Sequence, residues 1–322
     1  MPEVTFEGNT YVCSEEETVL ECLHRHDVSI ASSCLNGICQ SCIMQSGDGH
    51  LPEKAQSGLK DSWRSLGYFL ACQCRPTDSL QVARVDSAET KFRATLTRIE
   101  PLSSTVIGVW MRPELRFDYR PGQFVNFVRE GNLIRSYSIA SVPALQDELE
   151  FHVALMPEGK MSGWLHDNAR AGDSLDLQGP LGSCFYVPGK SEQALLLVGT
   201  GTGLAPLYGI VRDALEAGHT GPIHLLHGAL EVRGLYLVDV LRQLALEHDN
   251  FTYTPCALRT AEEQAIEYGD ISELTFNHHP QLKGWRAYLC GHPDTIKPLQ
   301  KKCFLAGVSM SDILVDVFLP AQ

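Results

Sequence analysis

The sequence predicts a multidomain α+β and α/β protein: a small mixed sheet with one helix, an antiparallel β-barrel, and an open, mostly parallel α/β sheet. Three observations lead there. Four spaced cysteines mark the first quarter of the chain, short strands broken by Gly, Pro and Asp fill the middle, and strands alternate with helices from residue 194. At 322 residues the chain is long enough for two or three cores. With 44% hydrophobic and 20% charged residues it has an ordinary globular composition. The formal net charge of −13 argues against nucleic acid or an anionic membrane as partner.

In the first part, residues 4–6 and 11–13 read as a strand pair around Gly8 and Asn9, and residues 18–26 as a helix through Val19, Leu20 and Leu23. His24 and His26 point to different faces of that helix, so they do not form a metal pair. Cys34, Cys39 and Cys42 form C-x4-C-x2-C, and Cys72 follows after an interval of twenty-nine residues. That is the spacing with which plant-type ferredoxins hold a [2Fe–2S] cluster, and a small mixed sheet with one helix suits their β-grasp domain. Zinc sites more often use two short cysteine pairs. An odd total of eleven cysteines and an N-terminus without a basic, apolar leader disfavour disulfides and point to the cytoplasm. Cys74 competes with Cys72 as fourth ligand, and Leu70-Ala71-Cys72-Gln73 fits the ferredoxin pattern better. The remaining cysteines, Cys13, Cys22, Cys184, Cys256 and Cys303, read as small core or surface residues. Residues 1–86 carry twelve acidic and six basic side chains, a balance that steers a basic acceptor or simply keeps the surface solvated.

A polar linker at 86–91 leads into short strands at 93–98, 105–111, 123–128, 136–140, 149–154 and 174–178, the pattern of an antiparallel barrel. Arg135-Ser136-Tyr137-Ser138 sets a cation, an aromatic ring and hydroxyls along one strand. A flavin dinucleotide needs such a guanidinium for its pyrophosphate and a flat ring beside its isoalloxazine, although the tetrapeptide also reads as plain strand. Gly159-Lys160-Met161-Ser162 opens a helix with small residues, an entry suited to phosphate.

The third part begins with eighteen uncharged residues, 194–211, which divide into a buried strand, a turn and a helix rather than a membrane span. A strand at 223–226, a helix at 235–247 and a strand at 287–290 continue the alternation. Gly199, Gly201, Thr202 and Gly203 lie between strand and helix, where glycines let backbone approach a pyrophosphate. Beyond the second strand, Glu231 suits a free ribose 2′-OH and so NADH; Arg233, two residues on, suits the 2′-phosphate of NADPH. Two solvated loop charges would look the same.

Taken together, these residues resemble the ferredoxin–NADP reductase superfamily, with its R-x-Y-S strand and G-x-x-S/T helix start for flavin and its G-x-G-T-G-x-A-P turn for nucleotide. Pro121-Gly122-Gln123-Phe124 and Cys290-Gly291-His292-Pro293 match two further patterns of that family. The order of the parts is similar to that in reductase components of aromatic-ring-hydroxylating dioxygenases. The resemblance implies domains at 1–86 ([2Fe–2S] ferredoxin), 91–190 (FAD) and 192–322 (NAD(P)). It also implies that FAD mediates between a nicotinamide donor and the cluster, Ser138 lying near flavin N5 and Cys290 and Gly291 beside the nicotinamide. Asp316 and Phe318 would close the flavin pocket. The implied acceptor is a ferredoxin or a terminal oxygenase, foremost a Rieske dioxygenase, with a di-iron monooxygenase, a P450 or a deoxysugar-forming dehydrase as alternatives. A redox-sensing regulatory module, and a monomer, complete the expectations. Gln40 and Thr200 depart from glycines common in the family.

Overall fold

The computed structural model describes residues 2–30, 32, 35, 37, 42–47, 50–85, 90–130, 133–259 and 265–318. Its chain divides into two units, 1–89 and 90–322.

The first unit is a five-stranded mixed sheet. Strands β1 (Glu3–Phe6) and β2 (Asn9–Val12) form a hairpin whose turn needs Gly8 at φ +80°. Helix α1 (Val19–Arg25) follows, then β3 (Ile43–Ser46), α2 (Asp61–Ser65), β4 (Tyr68–Leu70) and β5 (Leu80–Arg84). The strand order is β2-β1-β5-β3-β4, with β1 and β5 parallel and the other pairs antiparallel. Val19, Leu20, Cys22 and Leu23 present one buried face of α1 to this sheet, the β-grasp arrangement expected from the sequence. Thr18 starts the helix with a capping box: its hydroxyl accepts the Glu21 N–H, and the Glu21 carboxylate accepts the Thr18 N–H at 2.8 Å. Val19 N–H also donates to the Cys74 carbonyl, which ties the helix start to the turn carrying Cys72.

The second unit contains the barrel and the parallel sheet. Strands β6 (Thr90–Pro101), β7 (Val106–Pro113), β8 (Phe124–Arg129), β9 (Leu133–Ser138), β10 (Leu149–Ala154) and β11 (Ser174–Leu181) pair antiparallel in the order β10-β7-β6-β11-β8-β9. An Ile139–Phe151 bridge and the Ala140 N–H to Glu150 carbonyl bond join the two edges and close the barrel. Helix α3 (Lys160–Asp167) plugs one side through Met161 and Leu165.

The parallel sheet uses β12 (Leu195–Thr200), α4 (Leu204–Glu216), β13 (Ile223–Ala229), α5 (Val238–Glu247), β14 (Phe251–Ala257), β15 (Glu267–Tyr268), α6 (Ile271–His278), β16 (Arg286–Gly291), α7 (Pro293–Leu305) and β17 (Ile313–Val317). Its order, β15-β14-β13-β12-β16-β17, reverses direction between β12 and β16. Such a switch point opens a crevice at the carboxyl ends of the strands. Helix α5 starts three residues later than its periodicity predicts, because Leu237 takes a left-handed φ of +55° before it.

Barrel and parallel sheet share a buried polar contact. Glu150 and His152 of β10 lie 3.1 Å apart, and His152 Nδ1 is 3.2 Å from the Tyr236 hydroxyl of the other lobe. Arg212 of α4 completes it, donating to Gln146, which itself donates to Glu150. Burial pushes the Glu150 carboxyl up, but His152 above all, with Gln146 and the Arg212 charge, holds it below its usual range.

The Thr18 cap generates a stability prediction. Thr18→Ala removes one half of a reciprocal cap and should cost the first unit about 1 kcal/mol. Urea denaturation followed by far-ultraviolet circular dichroism checks it; an unchanged midpoint would show that tertiary packing alone sets the start of α1.

Candidate flavin, nucleotide and cluster sites

In the first unit, β3 begins directly after Cys42, and a short turn, Ala71–Gln73, follows β4. The β3–β4 pairing and an Ala71 N–H to Cys42 carbonyl bond of 3.0 Å therefore bring Cys42 and Cys72 together. Their thiols lie within hydrogen-bonding reach of one another, and burial pushes Cys42 up to about 11. Two converging, buried thiols are suited to a metal that takes up the thiolate charge. Cys74 differs: it is wholly buried, and burial by itself pushes its thiol up to about 12. Cys34, Cys39 and Gln40 lie outside the described residues.

The nucleotide turn is built from backbone. Thr200 ends β12, Gly201 takes φ +55°, and α4 starts after Gly203 with no side chain capping it. A Cβ on Gly203 would strike the Cys290 carbonyl, and one on Gly291 would strike the Thr200 hydroxyl. Nothing lies within 4 Å of the position of a Cβ on Gly201, so that face of the turn is open. The start of a thirteen-residue helix that no side chain caps fits a pyrophosphate. The Thr200 hydroxyl accepts the His292 N–H at 3.3 Å, which gives the departure from glycine a task in holding the two strand ends together. Beneath the turn, His227 of β13 is wholly buried; burial lowers it to about 3, so the ring is neutral.

On the barrel side, the β8–β9 register sets Ser136 opposite Asn126 and Tyr137 opposite Val125. The Ser136 hydroxyl donates to Asn126 at 2.7 Å, and the Tyr137 ring packs against Phe127 at 4.6 Å. Arg135 folds back to donate to the Ile134 carbonyl, leaving a half-buried guanidinium at the strand surface. Ser138 reaches the other lobe, its hydroxyl donating to Asp316 Oδ2 at 3.2 Å. Burial pushes the Asp316 carboxyl up to about 6, against the lowering effect of that bond. Phe318 N–H donates to the Gly291 carbonyl, so Ser138, Asp316, Gly291 and Phe318 converge beside the nucleotide turn.

At the start of α3, Gly159 is the N-cap and makes no side-chain cap bond. Met161 is a core side chain, and the Ser162 hydroxyl accepts the Met156 N–H and donates to the Gly159 carbonyl. Met161 and Ser162 can thus offer a phosphate their backbone N–H groups, whereas the side chain of Lys160 is only partly buried at the helix start. Glu231 lies past the end of β13, on the sheet edge that also carries the nucleotide turn. It is clamped by two cations: Oε1 is 2.6 Å from Arg259 Nη1 and Oε2 is 2.7 Å from Arg233 Nε.

Cys290 is wholly buried, with its sulfur 3.8 Å from Cys184 of the segment leaving the barrel. Sequence reasoning placed Cys184 among unassigned core residues, and it passed over Arg259, His152 and Tyr236. No local pattern marks contacts between residues 28 to 106 positions apart; only a three-dimensional register reveals them.

Comparison with known proteins gives three consecutive domain matches. A 2Fe-2S iron-sulfur cluster binding domain matches residues 4–77, an oxidoreductase FAD-binding domain 95–186 and an oxidoreductase NAD-binding domain 197–301. The chain is 33% identical over 312 residues to the ferredoxin–NAD(P)+ reductase component of a naphthalene 1,2-dioxygenase system from Pseudomonas putida, covering 94% of this chain and 93% of that relative. It is 31% identical to the reductase subunit of an aromatic O-demethylase from Amycolatopsis, over 99% of each chain. Among solved structures, a cytochrome P450 reductase from Amycolatopsis superposes with a TM-score of 0.71 at 28% identity over the whole of both chains.

Asp316 yields a pH prediction. Its folded value, about 6, exceeds the ordinary 3.8, so the folded protein binds this proton more tightly than the unfolded chain. The resulting stabilisation is full below about pH 4 and is lost as pH rises through 6. Asp316→Asn removes that loss, so its melting temperature relative to the parent should rise between pH 4 and pH 7.5. A constant difference across that range, in thermal melts of the isolated protein, would place the ionisation elsewhere.

Proposed function

The chain belongs to the ferredoxin–NADP reductase family, as a member with an N-terminal [2Fe–2S] domain, and from that premise we propose that it supplies electrons to a Rieske-type aromatic-ring dioxygenase, directly or through a separate ferredoxin. The chain is an oxidoreductase that draws electrons from NAD(P)H and uses FAD and a [2Fe–2S] cluster. FAD, when bound, accepts a hydride and passes its electrons on singly, which joins a two-electron donor to a one-electron centre. The observation carrying the choice of acceptor is the end-to-end match to the naphthalene dioxygenase reductase component. A P450 is the second reading, favoured by the full-length superposition on the Amycolatopsis P450 reductase.

Cys34, Cys39, Cys42 and Cys72 are the residues we assign to the cluster, Cys74 being committed to the core. Arg135 would swing from the Ile134 carbonyl onto a pyrophosphate, with Tyr137 and the N–H groups at 160–162 as further flavin contacts. Ser138, oriented by Asp316, offers a hydroxyl at the convergence of the two lobes, which suits it to flavin N5. Cys290 would border the nicotinamide from beneath, with Gly291 giving the close backbone approach. Phe318, anchored on Gly291, would cover the flavin. The domain limits 1–86, 91–190 and 192–322, a cytoplasmic setting and a monomeric state belong to the same proposal. Among the described residues no helix is long and apolar enough to cross a membrane.

NADH is the proposed donor. The Glu231 carboxylate engages one nitrogen of each neighbouring guanidinium and offsets their charge, which a 2′-phosphate would otherwise use. Glu231→Gln should free Arg233 and Arg259 and lower the KM for NADPH at least tenfold, with a smaller change for NADH. Steady-state kinetics with both donors tests this, and an unaltered preference would mean that the adenosine ribose sits elsewhere.

The path to the acceptor is tested with Cys39→Ser. Once shown to be folded and to hold FAD, this variant should keep NADH–ferricyanide activity and lose most cytochrome c reduction and nearly all support of the oxygenase. Cys74→Ser, made in parallel, should keep its iron. Oxygenase support at the parental rate without the cluster would overturn the reading of the cluster as the exit. State-dependent partner binding without turnover would favour the redox-sensor class instead.

A further inference from the structure

Gln73 follows Cys72 in the short turn after β4. Its side-chain nitrogen makes three approaches: 2.9 Å to the Leu35 carbonyl, 3.0 Å to the Cys72 carbonyl and 3.6 Å to the Cys72 sulfur. Both oxygens are acceptors, so the amide must present its NH2 rather than its C=O on this side. With two hydrogens available, one serves Leu35 and the other is shared between the oxygen and the sulfur of Cys72. The opposite wall is equally defined. Gly37, at φ +78°, comes so close that a Cβ there would lie 3.0 Å from Gln73 Cγ. Leu35 itself takes φ +56°, a left-handed conformation that a leucine rarely adopts without an external hold on its backbone. The Gln73 amide supplies such a hold.

Leu35 lies between Cys34 and Cys39, so this one side chain spans from the loop bearing three of the assigned ligands to the turn bearing the fourth. We propose that Gln73 is a positioning residue for the cluster: its carboxamide fixes the ligand loop against Cys72 and, by donating N–H to the Cys72 sulfur, raises the potential at which the cluster accepts its electron. The physical reason is charge. Reduction adds negative charge that is spread over the thiolate sulfurs, and a donor aimed at one of them stabilises the reduced state more than the oxidised state. An alkyl group in the same place contributes nothing to either.

The inference rests on Cys72 being a cluster ligand, and the experiment separates the two. Full-length holoprotein is prepared as Gln73→Leu, as Gln73→Glu, which has the same shape but cannot donate when ionised, and as Cys72→Ser. Iron content is measured, and the cluster midpoint is read from an EPR-monitored redox titration. Both Gln73 variants are expected to favour the oxidised cluster at least threefold at fixed potential, about 30 mV for a one-electron couple at 59 mV per decade. The NADH–ferricyanide rate, which bypasses the cluster, should not change. Full iron with an unshifted midpoint in either variant overturns the proposal. Loss of iron from both Gln73 variants, with flavin activity intact, supports the loop-fixing role. Cys72→Ser retaining iron and the parental spectrum would instead overturn the ligand assignment on which the inference stands.

Discussion

Two stretches of backbone, the turn at 199–203 and the strand end at 290–291, lie against each other through Gly203, Gly291 and the Thr200 hydroxyl, and the geometry of the second unit depends on that contact. Gly203 packs on the Cys290 carbonyl and Gly291 packs on Thr200, so a methyl group at either position would force the strands apart. Because the contact lies at the switch point of the sheet, it also sets the width of the crevice there. Everything proposed for nucleotide binding is measured from this wall. Thr200 clamps it through the His292 N–H, and Phe318 hangs from it through the Gly291 carbonyl.

The chemistry around this wall is set more by burial than by charge. No charged side chain occupies the turn, so an anion meets helix N–H groups rather than lysines. His227 beneath it is kept neutral, and Asp316, which accepts from Ser138 of the barrel, is brought close to neutrality by the same desolvation. Charge is reserved for the edge, where Glu231 sits between two exposed arginines. In the first unit the thiols follow the same rule: Cys74 is silenced by burial, while Cys72 keeps a polar neighbour in Gln73.

The architecture was legible in the sequence wherever local periodicity was strong. The strand at 149–154 and the helix beginning at Leu204 occur where alternation and apolar spacing place them. The fold class followed because three differently patterned segments succeed one another without interruption. Elements whose reason lies in tertiary pairing were not legible: β3, β5, β14 and β17 carry no signal distinct from ordinary apolar runs. The same division holds for the sites. Ser138 and Gly203 sit in patterned stretches, whereas Arg259, Cys184 and Gln73 acquire meaning only from partners many residues away.

The buried contact among Glu150, His152, Tyr236 and Arg212 has a consequence for how this chain can be divided. His152 and Glu150 of the barrel are satisfied in part by Tyr236 and Arg212 of the other lobe, and buried polar groups that lose such partners when the lobes part cost far more than a lost hydrogen bond. The barrel and the parallel sheet are therefore one melting unit despite their separate topologies. A chain severed between residues 188 and 192 would give two fragments, each presenting an unsatisfied, sticky face. Whatever assembled such reductases from smaller pieces had to bring these two pieces together already matched, whereas the first ninety residues, which form a unit with its own core, could be exchanged as a cassette.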